Sequence, residues 1–193
     1  MKKVLCAALL LFSFAFTFGQ SNKSTAAKDA KSITFYGVDF SLSKVFGFSN
    51  SSTQIKDAFA GINRLFIGQA RKFDVPASFK KDDVLYNFDL VNKLNDEMSV
   101  SSLFSDRKKY AITSDELRSH IKGYNTTGNG IGLILIAERL DKQDEMGYYY
   151  VIFFEESTGE ILYKKPVSAK THGFGLKNHW ASSIYKIMKE WRY

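Results

Sequence analysis

Ile131-Gly132-Leu133-Ile134-Leu135-Ile136-Ala137, then Tyr148-Tyr149-Tyr150-Val151-Ile152-Phe153-Phe154, then Glu156-Ser157-Thr158-Gly159 leading into Ile161-Leu162-Tyr163, decide the fold. The first two runs are continuously apolar over a strand's length, which predicts strands buried on both faces. The polar turn between the second and third predicts a hairpin. Three strands in succession need helices to cover them, and the flanking sequence supplies these.

Immediately upstream, Thr113-Ser114-Asp115-Glu116 has the spacing of a capping box. The threonine hydroxyl accepts from the Glu116 amide while the glutamate reaches back. A short helix with Leu117 and Ile121 inward follows, and Gly123 is read as its left-handed stop. Downstream, Trp180, Ile184, Ile187, Met188 and Trp191 mark the apolar face of a closing helix over about Asn178 to Trp191, with Asn178 as its expected cap.

In the first half, Ile33 to Phe40 is aromatic and β-branched and predicts a strand. Ser52 or Thr53 is the expected cap of a helix. Its inner face carries Ile55, Ala58, Phe59, Ile62, Leu65 and Phe66. The stretch Asp82 to Glu97 fits both periods: Val84, Tyr86, Phe88 and Leu90 alternate, yet Val84, Leu85, Phe88, Val91 and Leu94 also line a helix. Its length favours helix. The expected fold is α/β (α+β), a single domain over residues 33–193. It has a mixed sheet of about four to five strands covered by three to four helices.

The amino end reads as an export signal. Lys2 and Lys3 precede an apolar run from Val4 to Phe18, and Thr17 and Gly19 are the small residues of a cleavage site before Gln20. The run is short for a spanning helix. Residues 1–19 are therefore expected to leave, with 20–32 as a flexible polar leader. Cleavage also removes Cys6, the one cysteine, and with it disulfides, a thiol nucleophile and thiolate-held metal. Cys6 lies inside the apolar run behind Leu5, which excludes a lipoprotein cleavage pattern. The mature chain is expected in the periplasm or outside the cell, with no transmembrane segment.

Familiar catalytic patterns are missing. No nucleophile elbow and no phosphate-cradling lysine motif occurs, and no cofactor is expected. Gly128-Asn129-Gly130-Ile131-Gly132 precedes a strand, so no helix end stands ready for a phosphate. His120 reads as structural. His172 and His179 flank the loop before the last helix and are the candidate acid–base or metal pair, with Asp39 or Glu155, each in an aromatic or apolar strand, as a carboxylate brought in by folding. No complete metal set is visible.

The whole chain carries net charge +7. From Glu138 to Glu160 seven acids face two bases, whereas Ile161 to Lys189 holds six lysines and no acid. Such a switch suits a solvated hairpin, or a basic surface for an anionic glycan or lipid. Nucleic acid is not an expected partner of an exported chain. Within this segment Lys170, Gly173, Phe174, Gly175 and Lys177 form a candidate binding loop. The glycines free the backbone ahead of the last helix, whose open N–H groups could hold an anion.

The signal ending in Phe18-Gly19-Gln20 looks like those of exported Bacteroidetes proteins. Val151-Ile152-Phe153-Phe154, then Ser157-Thr158-Gly159-Glu160-Ile161-Leu162, then the glycine loop and the Trp180 helix resemble envelope α/β modules. Modules of this kind stand at the amino end of TolB and in penicillin-binding-protein activators. The likeness covers about residues 131 to 191 and is architectural. It implies a non-enzymatic binding or assembly role with an envelope protein as partner, and transfers no catalytic residue. A small hydrolase using His172 and His179, and a peripheral binder of anionic polymer through residues 161–189, are the competing expectations.

Overall fold

The computed structural model describes residues 23–105 and 110–193. The expected signal segment and Cys6 lie outside the described residues. The order is α1 (23–29), β1 (Ser32–Asp39), β2 (Lys44–Phe46), α2 (Ser52–Gly68), α3 (Val75–Phe79), β3 (Asp83–Tyr86), α4 (Asp89–Glu97), α5 (Val100–Leu103), α6 (Ser114–Lys122), β4 (Ile131–Asp141), β5 (Met146–Glu155), β6 (Ile161–Lys170) and α7 (Leu176–Glu190). Six strands make one mixed sheet in the order β3-β1-β4-β5-β6, with β2 pairing along β4. β1 runs parallel to β3 and β4, while β4, β5 and β6 form an antiparallel meander. Among the described residues the fold is the expected single mixed α/β unit, with six strands where four to five were expected and seven helices where three to four were, because several of the helices are a turn or two long.

Each face of the sheet buries its own cluster. Phe35, Leu133, Leu135, Val151 and Phe153 pack under α2, α3 and α7, where Phe40 stacks on Phe59 and Trp180 packs against Phe59. On the opposite face Tyr36, Ile134, Ile136, Ile152 and Phe154 meet Val91 of α4 and Leu117 and Ile121 of α6. A strand with an apolar residue at every position has both faces covered. Among the described residues no helix is long and apolar enough to cross a membrane.

Several local expectations are corrected. The ambiguous stretch contains both elements: strand Asp83–Tyr86, then helix Asp89–Glu97. The break falls at Asn87, whose N–H donates to Phe35 while its side chain accepts from the Asp89 amide. Ser51, not Ser52 or Thr53, caps α2, in a capping box with Gln54. Gly123 is right-handed at φ −69°, and the chain goes on to Tyr124 before turning at Asn125, φ +47°.

The segment expected as a leader is, at 23–29, a helix with Ala27 fully buried. Lys81 explains it. Its ammonium donates to the carbonyls of Ala27, Lys28 and Ala30, which have no intrahelical partner at a helix end. It also lies 5.2 Å over the Phe153 ring. Burial pulls this ammonium down to about 8, with Lys31 adding to the effect.

One irregularity sets the carboxyl end of β1. Gly37 adopts φ +92°, and the register with β4 slips between Phe35 and Val38. A Cβ there would sit 2.7 Å from the Asn63 side-chain oxygen. Asn63 accepts from the Val38 N–H and donates to its carbonyl, while Asn95 accepts from the Phe40 N–H. Both amides are buried and serve backbone groups the ladder leaves unpaired.

Candidate functional site

Asp39 ends β1 and is fully buried. Its Oδ1 accepts from the Ser41 N–H at 2.7 Å, and its Oδ2 from His120 Nε2 at 2.7 Å and from the Tyr124 hydroxyl at 2.6 Å. Burial alone pushes this carboxyl up. The hydrogen bond and charge of His120, with Ser41 and Tyr124, outweigh it and hold the group below the usual carboxylate range. Tyr124 is pushed well up by burial and by the Asp39 charge. Ser41 Oγ lies 3.4 Å from the same His120 nitrogen. A nucleophile relay needs the acid on one ring nitrogen and the hydroxyl on the other. Here both converge on Nε2, so the cluster ties α6 to β1 and lacks the arrangement of such a relay.

Asp39 therefore serves His120, a histidine read from sequence as structural, and not the late pair. His179 Nε2 lies 2.8 Å from Thr171 Oγ1, and His172 Nε2 lies 3.0 Å from Lys186 Nζ. Burial lowers His179, with the charges of Lys142 and His172 adding to it and Glu145 opposing. Among the described residues no carboxylate hydrogen-bonds either ring. Among the described residues no group of three or more His, Cys, Asp or Glu is arranged to hold a metal ion.

The loop before α7 is more distinctive. Gly173 and Gly175 both take left-handed backbone angles, φ +98° and +75°. Between them Phe174 projects 97% exposed. Gly175 caps α7 without a side-chain hydrogen bond, three residues before the expected cap Asn178. Asn178 falls inside it and donates to the Phe174 carbonyl at 3.2 Å. Lys177 lays its stem on α2 at Gly61, where a Cβ would come within 2.8 Å of it.

Beside this loop lies an open groove of about 460 Å³ between α2 and the start of α7. Ala58 and Leu176 form its floor; Asn50, Gln54, Asp57, Lys177 and Asn178 line it, with Phe174 at the rim. Phe174, Gly175 and Lys177 of the expected binding loop meet here. Lys170 and Gly173 are not in the lining. Alternation along β6 explains Lys170: Ala169 joins the core on the α7 side, so the next side chain leaves by the other face. Asn50, Gln54 and Asp57 went unmarked in the sequence, where Gln54 and Asp57 look like any solvated helix face and Asn50 like any polar loop residue.

The six late lysines do not form one surface. Lys164 donates to Ser114 Oγ of α6, whereas Lys165 donates to the Arg192 carbonyl and lies 5.0 Å over the Trp191 ring. Lys177 turns to the groove and Lys186 to His172.

No family model and no curated sequence matches the chain. Among solved structures it is similar to the LpoB C-terminal domain from Salmonella enterica, at 13% identity and TM-score 0.34, over 73% of this chain and 84% of that one. It is also similar to a neuraminyllactose-binding hemagglutinin homolog from Helicobacter pylori, at 14% identity and TM-score 0.29, over 84% of this chain and 77% of that one.

Proposed function

We propose that the protein is an exported, non-enzymatic binding or assembly module of the bacterial envelope, and that the α2/α7 groove with Phe174 is its docking surface. The observation that carries this is the phenyl ring standing 97% exposed between two left-handed glycines. An exposed ring on a constrained loop gains about 1.5–3 kcal/mol when a partner buries it. Aromatic anchors of this kind dominate interface energetics. The groove supplies what surrounds such an anchor, a small apolar floor and a polar rim. The three histidines contact three different neighbours, Asp39, Thr171 and Lys186, and no two of them share a partner.

The test is photo-cross-linking in cells that produce and process the chain. A benzophenone amino acid at position 174 should give a discrete adduct, lost with Lys177→Glu, while the same probe at the exposed Leu85 gives none. Absence of an adduct at 174, or an equal adduct at 85, overturns the docking site. Fractionation that leaves the full-length chain in the cytoplasm overturns export.

A further inference from the structure

Resting on that docking reading, we infer that the occupant of the groove is a second copy of this chain, related to the first by a two-fold axis. A two-fold interface uses one patch twice, so the patch must carry both halves of every contact. This one does. It holds a knob, Phe174, and beside it a groove of about 460 Å³ floored by Ala58 and Leu176, ample for one phenyl ring. It also holds one carboxylate, Asp57, and one ammonium, Lys177, and among the described residues neither makes an ion pair. The remaining rim is amide side chains, which donate and accept equally well.

Turning a second copy through the axis lays each Phe174 over the other copy's floor and sets each Asp57 against the other copy's Lys177. A partner of uniform charge would satisfy one of these two groups and bury the other unpaired, which is costly. The groove is lined by fewer residues than the roughly 20–30 a side of a standard interface, so the dimer is expected to be weak. The whole chain's net charge of +7, about +5 once Lys2 and Lys3 leave with the signal, opposes association, but physiological salt screens it beyond about 8 Å.

The experiment is sedimentation equilibrium of the purified mature chain, from about 10 µM to 1 mM, on wild type, Phe174→Ala, Asp57→Lys, Lys177→Glu and the double charge swap. Wild type should dimerise. Phe174→Ala should weaken the dimer at least about tenfold, each single charge reversal likewise, and the double swap should recover most of the loss. Circular dichroism checks that each variant is folded. A wild type monomeric throughout, or a dimer indifferent to Phe174, or charge reversals without mutual rescue, overturns the inference. The cross-link at position 174 separates this from the broader reading. An adduct of twice the chain mass supports self-association. An adduct with a different protein overturns the dimer and leaves the docking surface standing, and no adduct removes both.

Discussion

Replacing Asp39 by asparagine tests how much the buried carboxylate contributes. Three donors converge on it at 2.6–2.7 Å: the Ser41 amide, His120 Nε2 and the Tyr124 hydroxyl. An asparagine keeps an oxygen for Ser41, but its NH2 then faces two groups that were donating. His120 can change tautomer and accept; Tyr124, only 6% exposed, loses its acceptor. A hydrogen bond to a charged group is worth about 1.5–3 kcal/mol. Losing one outright and weakening another puts Asp39→Asn at about 2–4 kcal/mol, read from urea unfolding at pH 7. The pH dependence has a definite sign. Folding holds this carboxyl below its ordinary value, so the unfolded chain takes the proton first. The stabilisation is complete above about pH 4 and drains away as pH falls through the lower, folded value. The gap between wild type and Asp39→Asn should therefore narrow in acid. A loss under about 0.5 kcal/mol, or a gap unchanged from pH 7 to pH 3, refutes the reasoning.

Other outcomes follow from single contacts. Lys81→Met leaves the carbonyls of Ala27, Lys28 and Ala30 without their donor and should release residues 23–29 at a cost of about 1–3 kcal/mol. Hydrogen exchange reads this directly, and undiminished protection there contradicts it. Gly159→Ala places a Cβ 2.8 Å from the Lys122 backbone at φ +65°, and should cost about 2 kcal/mol in thermal or urea unfolding. Phe174→Ala, by contrast, should leave stability within about 0.5 kcal/mol of wild type in the same measurement, because its ring touches little within the domain.

The meander was legible because β4, β5 and the turn at Glu156–Gly159 announce themselves over consecutive residues, and the capping box at Thr113 is a local pattern. What escaped depends on partners far along the chain. Nothing in the polar composition near Ala27 announces a helix, because the group that terminates it is Lys81. β3 hid because a four-residue strand and a nine-residue helix share one apolar stretch, and each period explains part of it. Gly123 suggested a left-handed stop, but Tyr124 is drawn inward to Asp39, which delays the turn to Asn125. At the groove, the two glycines around Phe174 were readable as backbone signals. Asp57 was not, since only the meeting of α2 with α7 gives that side chain a neighbour to face.

A docking loop is useful only if the fold holds it still, and here the support is visible residue by residue. Trp180 is fully buried a turn into α7, edge-on to Phe48 at 4.8 Å and tilted against Phe59 at 5.4 Å. The missing side chain at Gly61 lets the Lys177 stem lie flat on α2. The Asn178 amide ties back to the Phe174 carbonyl, and the two glycines take the positive φ angles that turn the chain into α7. Each constraint removes freedom that a partner would otherwise have to remove on binding. A phenylalanine exposed by accident on a slack loop could collapse onto the nearby Leu176 and hide from water. Here the Asn178 tie and the buried Trp180 fix the loop to α7 on its carboxyl side, and the ring stands 97% exposed on that support.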